Sequence, residues 1–267
     1  MHSIFNNIFT LRIFSKLLVA CIFFLIFMGA LVTSHQAGLS VPDWPTTYGE
    51  NMFLFPIEKW QGGIFYEHSH RLMASVVGLL TTVLFIWTLL KELRKWVKVT
   101  TCLAMAAVIL QGTLGGLTVL FRLPTAVSMS HAILAQTFLV LCIIIAYAHS
   151  AEINTCKAQN SNIKLFELAL FMVIVVYIQL FLGALMRHTH SGLAIPDFPT
   201  MAGSIFPRFN QNSLTIVNSM LSKMGQASVG LDQMGIHFAH RIGAAVVFIS
   251  AVFVSIKIFL QKNPLLF

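Results

Sequence analysis

Ionisable side chains are sparse in this chain, and a few of them are spaced as metal ligands and acid–base groups would be. Glu67, His70 and Arg71 fall within one short stretch, His131 stands alone further on, and His240–Arg241 repeats the His–Arg step near the C-terminal end. Glu67 and His70 are three residues apart, so on a helix they share a face, with the carboxylate one turn from the imidazole. A neutral imidazole ligates metal, and a carboxylate beside it can accept a proton or steady a developing positive charge.

The elements that must hold these groups follow from composition. Of 267 residues 57% are hydrophobic and only 10% are charged, more apolar surface than a soluble domain can bury. A hydrocarbon core about 30 Å thick takes roughly 20 apolar residues per helical crossing. Six runs qualify: Phe14 to Val32, His70 to Leu90, Val99 to Leu120, Val127 to Ala148, Leu165 to Met186 and Ile236 to Ile256. The expected fold is an all-α membrane protein with six transmembrane helices, because a helix satisfies its own backbone in lipid. The first run follows Arg12 and Lys16 as a secretory signal would, but it is too long and shows no cleavage pattern, so it reads as a retained helix.

Lys91, Arg94, Lys95 and Lys98 follow the second run, Lys157 and Lys164 the fourth, and Lys257 and Lys262 the sixth, on the same side as Arg12 and Lys16. The positive-inside rule makes that side cytoplasmic, with both termini there. The net charge of +8 is largely this topogenic signal, and no basic patch interleaved with aromatics suggests nucleic acid. Cys21, Cys102 and Cys142 fall inside spans and Cys156 in a cytoplasmic loop, which supports neither a disulfide nor a cysteine metal site.

The chain repeats itself. Setting Gly29 on Gly183 aligns GALVTSHQAGLSVPDWPT with GALMRHTHSGLAIPDFPT, and EHSHR at Glu67 to Arg71 then echoes HFAHR at His237 to Arg241. The first span matches the fifth and the second matches the sixth in one orientation, so the halves should be related about the membrane normal. Residues 1–150 are expected to form a four-helix bundle, and 151–267 a partial bundle holding the fifth and sixth spans. A full second half would need counterparts of the third and fourth spans, which the sequence to Phe267 does not contain. The Pro-Asp-aromatic-Pro segments just outside the first and fifth spans suit rigid outer loops, or direct contact with a ligand.

His70, one turn into the second span, and His131, seven residues after Pro124, share a depth. Two imidazoles at equal depth on different helices can supply both axial positions of a heme iron; zinc would need a third ligand, and none is obvious. Either histidine alone could equally be a satisfied structural residue. Glu67 could reach a heme edge or cap the second span against the helix dipole. Arg71 and Arg241 could pair with heme propionates or snorkel to the headgroups. His35, His68, His188 and His190 read as surface or supporting residues, and His149 as a solvated helix terminus.

Glu67-x-x-His70-Arg71, Gln111-Gly112-x-Leu114-Gly115-x-x-Thr118-Val119, Leu123-Pro124, His131, Leu182-Gly183-Ala184-Leu185-x-Arg187, Asp197-Phe198-Pro199 and His240-Arg241 together resemble the heme A synthase family. The resemblance runs from the first span to the sixth and lacks the family's last two helices. It implies two four-helix bundles, the first holding heme O as substrate between His70 and His131, the second holding heme b with His240 as one ligand and the other on the last helix. It implies oxidation of a heme O methyl to a formyl group through a hydroxylated intermediate, with Glu67 near that methyl, to supply heme A to terminal oxidase. The outer-loop cysteine pair of part of the family is absent. Implied partners are heme O, the bilayer of the inner membrane, heme O synthase, an electron acceptor and a second copy of the chain. His237 stands where Glu67 stands in the first half, so only the first half looks catalytic. The rival reading is a non-catalytic heme-binding membrane protein serving electron transfer or oxidase assembly. A third is a bundle that uses these polar groups only to pack helices.

Overall fold

A computed structural model describes residues 8–150, 153 and 163–260. Among them the secondary structure is helical apart from two isolated bridges: α1 Ile8–Ser34, α2 Gly63–Lys91, α3 Lys95–Leu120, α4 Thr125–Ala148, α5 Ile163–His188, α6 Gln211–Lys223 and α7 Leu231–Leu260. Six of the seven are long and apolar enough to cross a membrane, and each expected span lies inside one of them. The exception is α6, whose polar composition hides it from any search for apolar runs. The loop positions assigned to Cys156, Lys157 and Lys262 lie outside the described residues.

The chain divides into two compact units, residues 1–157 and 158–267. In the first, α1 packs on α2, α2 on α3, α3 on α4 and α4 back on α1. This cyclic order sets α2 and α4 on opposite corners of a four-helix bundle. Leu18, Ile22, Val77, Leu84, Ala104, Phe138, Cys142 and Ile145 fill its interior. They run from the end formed by the start of α1 and the α2–α3 turn to the middle of the bundle. Toward the other end, where His70 and His131 enter, buried apolar residues such as Val119 and Met129 stand beside buried polar ones such as Glu67, His68 and Arg71.

The basic end is tied by polar contacts. Arg94 in the α2–α3 turn pairs with Glu92 at 2.7 Å and donates to the Ala148 carbonyl at the end of α4 at 2.8 Å. Those hydrogen bonds and the Arg94 charge outweigh burial and hold the Glu92 carboxyl down at about 2. His149 is not a solvated terminus: it is 5% exposed, with Nδ1 3.2 Å from the Ser15 hydroxyl and Nε2 3.5 Å from Glu92. The sequence places it correctly at a helix end, but helix ends that meet other helix ends are buried.

In the second unit α5 packs on α7, and α6 lies with Val217 and Leu221 buried against Ile195, Met201, Ala202 and Met234. Asn210 caps α6, its side chain accepting the Ser213 N–H at 3.0 Å. No described residue of α5 is buried within the chain.

Candidate functional site

The loop after α1 is folded by its own residues. Asp43 accepts the N–H groups of Tyr48 and Gly49 at 2.8 and 2.9 Å and the Thr46 hydroxyl. Burial works against the Asp43 charge, yet these donors lower its carboxyl below the usual range. Thr47 and Glu50 close a bridge, Tyr48 and Gly49 take positive φ, and the Trp44–Pro45 bond is cis. The loop after α5 repeats all of this: a Met201–Ser204 bridge, positive φ at Ala202 and Gly203, a cis Phe198–Pro199 bond, and Asp197 accepting Ala202 and Gly203 N–H at 3.0 Å each. The Pro-Asp-aromatic-Pro repeat is thus first of all architecture.

An arginine one helix later fastens each loop. Arg71 Nη1 donates to the carbonyls of Asp43 at 2.6 Å and Thr46 at 3.1 Å, and Nη2 to Val41 at 2.7 Å and to Glu67 Oε1 at 2.6 Å. Arg241 donates to Asp197 at 2.8 Å, Thr200 at 3.2 Å and Ile195 at 2.8 Å. Loop carbonyls thus occupy the groups expected to meet propionates. Of five guanidinium N–H donors, Arg71 keeps one uncommitted by these contacts, and Arg241, whose Nε also meets His237 at 3.0 Å, keeps one as well.

Glu67 is not a helix cap: α2 has Gly62 at its N-cap position and no side-chain capping bond there. It is 4% exposed and accepts the Val41 N–H at 2.8 Å besides pairing with Arg71. His237 holds the equivalent place, its ring nitrogens 3.2 Å from the Ile195 N–H and 3.0 Å from Arg241 Nε. A neutral imidazole has one lone pair and accepts only one of these two donors at a time, whereas the Glu67 carboxylate accepts both.

His70 and His131 sit on α2 and α4, the opposite corners, near the looped end. A ring nitrogen of each, Nδ1, is buried with no hydrogen-bond partner. Each ring approaches a neighbouring helix at a glycine, Cε1 nearest: a Cβ on Gly29 would stand 3.2 Å from His70 Cε1, and one on Gly115 3.2 Å from His131 Cε1. His240 meets Gly183 in the same way, at 3.1 Å. Gln111 donates its amide to the His131 carbonyl at 3.0 Å with Nε2 of the ring 3.3 Å away; Gln179 donates to the His240 carbonyl at 3.0 Å and lies 3.1 Å from its Nδ1. Sequence reasoning passed over both glutamines as holders of histidines. The shared Gln-x-x-x-Gly spacing of Gln111–Gly115 and Gln179–Gly183 was the available signal.

Across the mouth of the bundle, Trp44 covers α3 at Gly116, where a Cβ would stand 2.5 Å from the indole. His68 is fully buried, not a surface residue, with the Thr47 hydroxyl 3.1 Å from Nδ1 and the Phe55 and Trp60 rings around it. Among the described residues no three His, Cys, Asp or Glu side chains cluster.

The profile of the COX15-CtaA family, described as cytochrome oxidase assembly protein, matches residues 12–266. The chain belongs to this family. Members similar to it include a heme A synthase of Shewanella oneidensis, 30% identical over 243 residues, which cover 83% of this chain and 71% of that one. One of Halalkalibacterium halodurans is 28% identical over 252 residues, 90% of this chain and 73% of the other. One of Alkalihalophilus pseudofirmus is 28% identical over 203 residues, 74% of this chain and 66% of the other. The matched stretches span about two thirds to three quarters of these family members. No solved structure matches the chain.

Proposed function

We propose that the chain is a multi-pass heme A synthase of the inner membrane, its termini cytoplasmic, that oxidises a methyl substituent of heme O to a formyl group. The observation that carries this reading is the pair of half-buried imidazoles, His70 and His131, on opposite corners of one bundle, each with a buried Nδ1 that no protein group satisfies. Buried polar atoms without partners are rare in folded proteins, and an axial position on iron supplies the missing one. Two neutral nitrogen donors and no thiolate fit heme iron. Family membership makes the heme substrate the natural occupant.

Each group then has a task set by its surroundings. The glycines at Gly29 and Gly115 and the Gln111 amide fix the planes of the two imidazoles, so the substrate ring is held in one orientation. Trp44 and the Asp43 loop cover the open end and keep water from it. Glu67, fixed by Arg71 and the Val41 N–H, offers a carboxylate one turn from His70. It can accept a proton from the substituent or stabilise positive charge developing there. Arg71 and Arg241 hold loops and keep one N–H each for a propionate. His240 fits a second, resident heme b, which would supply one-electron transfer. What favours oxidation over the rival electron-carrier reading is Glu67: besides its loop contacts with Arg71 and Val41, it sets a carboxylate one turn from His70, in the first unit only, a group that electron transfer does not call for.

The test is conversion. Purified chain supplied with heme O should yield heme A. Glu67→Ala should keep heme bound but lower formation of the formyl product by about 10² to 10⁴-fold. Wild-type turnover in that variant would remove Glu67 from the chemistry, and failure of the wild type to convert heme O would leave the electron-carrier reading.

A further inference from the structure

The loop after α1 winds around α2. With Glu67 taken as zero, a turn of about 100° per residue places Arg71 at about 40°, His68 at about 100° and His70 at about 300° around the helix. Successive parts of the loop meet these residues in that order. The Val41 N–H meets Glu67, the Asp43 and Thr46 carbonyls meet Arg71, and the Thr47 hydroxyl meets His68. The Phe55 and Trp60 rings then close on His68, with centroids 5.2 and 4.6 Å away. The chain thus passes from the flank of α2 beside the site to one that turns away from it.

The flank it reaches is the one that α2 shows to lipid. On the same wheel the buried Val77, Thr81, Leu84 and Thr88 fall between about 260° and 320°, with His70. The exposed large apolar residues of the helix, Phe65, Val76, Leu79, Ile86 and Leu90, fall between about 100° and 180°. His68 lies at the edge of that stripe, about 7 Å along the helix from its start at Gly63, yet it is fully buried. The segment that covers it therefore rests on the lipid-facing flank, at headgroup depth. Two 3-10 turns, Met52–Leu54 and Ile57–Lys59, flank Phe55, which is 6% exposed, and leave Phe53, Leu54 and Ile57 66, 80 and 73% exposed. Such side chains gain free energy by leaving water. Ile57 and its neighbour Glu58 point about 120° apart on a 3-10 turn, so one can face lipid while the other faces water. The exposed Lys59 is paired with Glu50 at 2.6 Å.

We propose that residues 51–60 are an interfacial anchor, with Phe53, Leu54 and Ile57 inserted among the phospholipid headgroups and upper acyl chains at the looped end. Phospholipid is the occupant because the patch continues the exposed apolar stripe of α2, whose neighbour in a membrane is lipid, and lies at the depth where aromatic and aliphatic side chains partition. The loop is then fastened twice, to α2 by Arg71 and to the bilayer by this segment, so its closure over the first bundle depends on lipid. The inference uses only the membrane-spanning helices and stands whether or not heme binds.

The test places the full chain in nanodiscs of phosphatidylcholine and phosphatidylglycerol, which leave both membrane faces open to water. Leu54→Trp and Ile57→Trp, made singly at exposed positions that tolerate a larger side chain, add an indole whose emission is read as the difference from wild type. That emission should be blue-shifted, shielded from aqueous iodide, and quenched more by lipids brominated near the headgroup than by lipids brominated near the chain end. A red-shifted indole open to iodide and indifferent to brominated lipid would place the segment in water and overturn the proposal. An indole shielded from both quenchers would mean that a polypeptide covers the patch, and would overturn it too. A second measurement does not rely on added tryptophan: the double variant Leu54→Asp/Ile57→Asp should lift the segment from the bilayer and raise modification of His68 by diethyl pyrocarbonate, read by peptide mass spectrometry. Protection of His68 equal to wild type would show that protein contacts alone hold the segment, and the anchor would be refuted.

Discussion

Removing Arg71 should cost the protein more than removing Arg241, and the difference should come from Glu67. Both guanidiniums hold three loop carbonyls, so Arg→Ala at either position strips the same number of backbone acceptors. Those carbonyls belong to outer loops and can take up water when the clamp goes, which keeps their loss near about 1–3 kcal/mol. Arg71 also pairs at 2.6 Å with a carboxylate that is 4% exposed, whereas Arg241 faces the neutral ring of His237. Stranding a buried charge costs about 3–5 kcal/mol. Arg71→Ala should therefore fall about 2 kcal/mol below Arg241→Ala, a gap of roughly 4–8 °C in melting midpoint at this chain length. Both variants would be melted in one detergent and followed by tryptophan fluorescence. The double variant Glu67→Ala/Arg71→Ala should recover part of the loss, because it removes the stranded charge. Equal midpoints for the two arginine variants, or a double variant that melts below Arg71→Ala, would refute the assignment of the gap to the ion pair.

Gly115→Val should displace the His131 ring, since even a Cβ there stands 3.2 Å from it, and the visible and paramagnetic spectra of bound heme should lose their bis-imidazole character; unchanged spectra would show that the ring does not depend on that approach. Gln111→Leu should retain heme but broaden those spectra, because it removes the amide that fixes His131. Glu92, held near 2 against its ordinary 4.5, contributes stability above about pH 4.5 that is lost as pH falls toward 2, so Glu92→Gln should flatten acid denaturation in that window; a parallel acid limb in the variant would rule the pair out as a source of acid sensitivity.

The spans and the internal repeat were legible because lipid imposes a length and a composition that few other environments do. The repeat even carried its loop geometry, since Asp43 and Asp197 fold matched turns from matched residues. Other features were not legible, for reasons that differ. Helix α6 is too polar and too short for a search for membrane spans; its signature is amphipathic, Leu214, Val217 and Leu221 on one face behind the Asn210 cap, and Val217 and Leu221 are buried. Arg71 and Arg241 looked like cations available to propionates because a sequence shows charge and not the direction of a side chain. The carbonyls they hold are 25 to 30 residues away for Arg71 and 41 to 46 away for Arg241. His149 looked solvated and His68 read as surface or supporting because each lies near a helix end, and what packs on them comes from distant segments, Thr47 on His68 and Ser15 on His149.

The three helix pairs differ in what they add to the Gly–His contact, and the differences track what each can do. The α3–α4 pair has only a short connection through Phe121 and Pro124, with no clamping arginine after its histidine and with Ser128 where Glu67 stands in α2. It can offer a ligand and little else. The α5–α7 pair has the loop and the arginine, but with His237 where a carboxylate would be, so its loop is held by a neutral group that accepts one donor at a time. Only α1–α2 couples histidine, loop, arginine and carboxylate; there the carboxylate binds the loop, and on the proposed reading it also serves the substrate substituent. Glu67→Gln is the substitution that separates those duties: its amide oxygen can still accept the Val41 N–H, so the loop should stay closed and heme bound, while the charge that serves the substituent is gone. If Glu67→Gln opened the loop as Glu67→Ala would, or converted heme O like wild type, the two duties would not be joined in this one side chain.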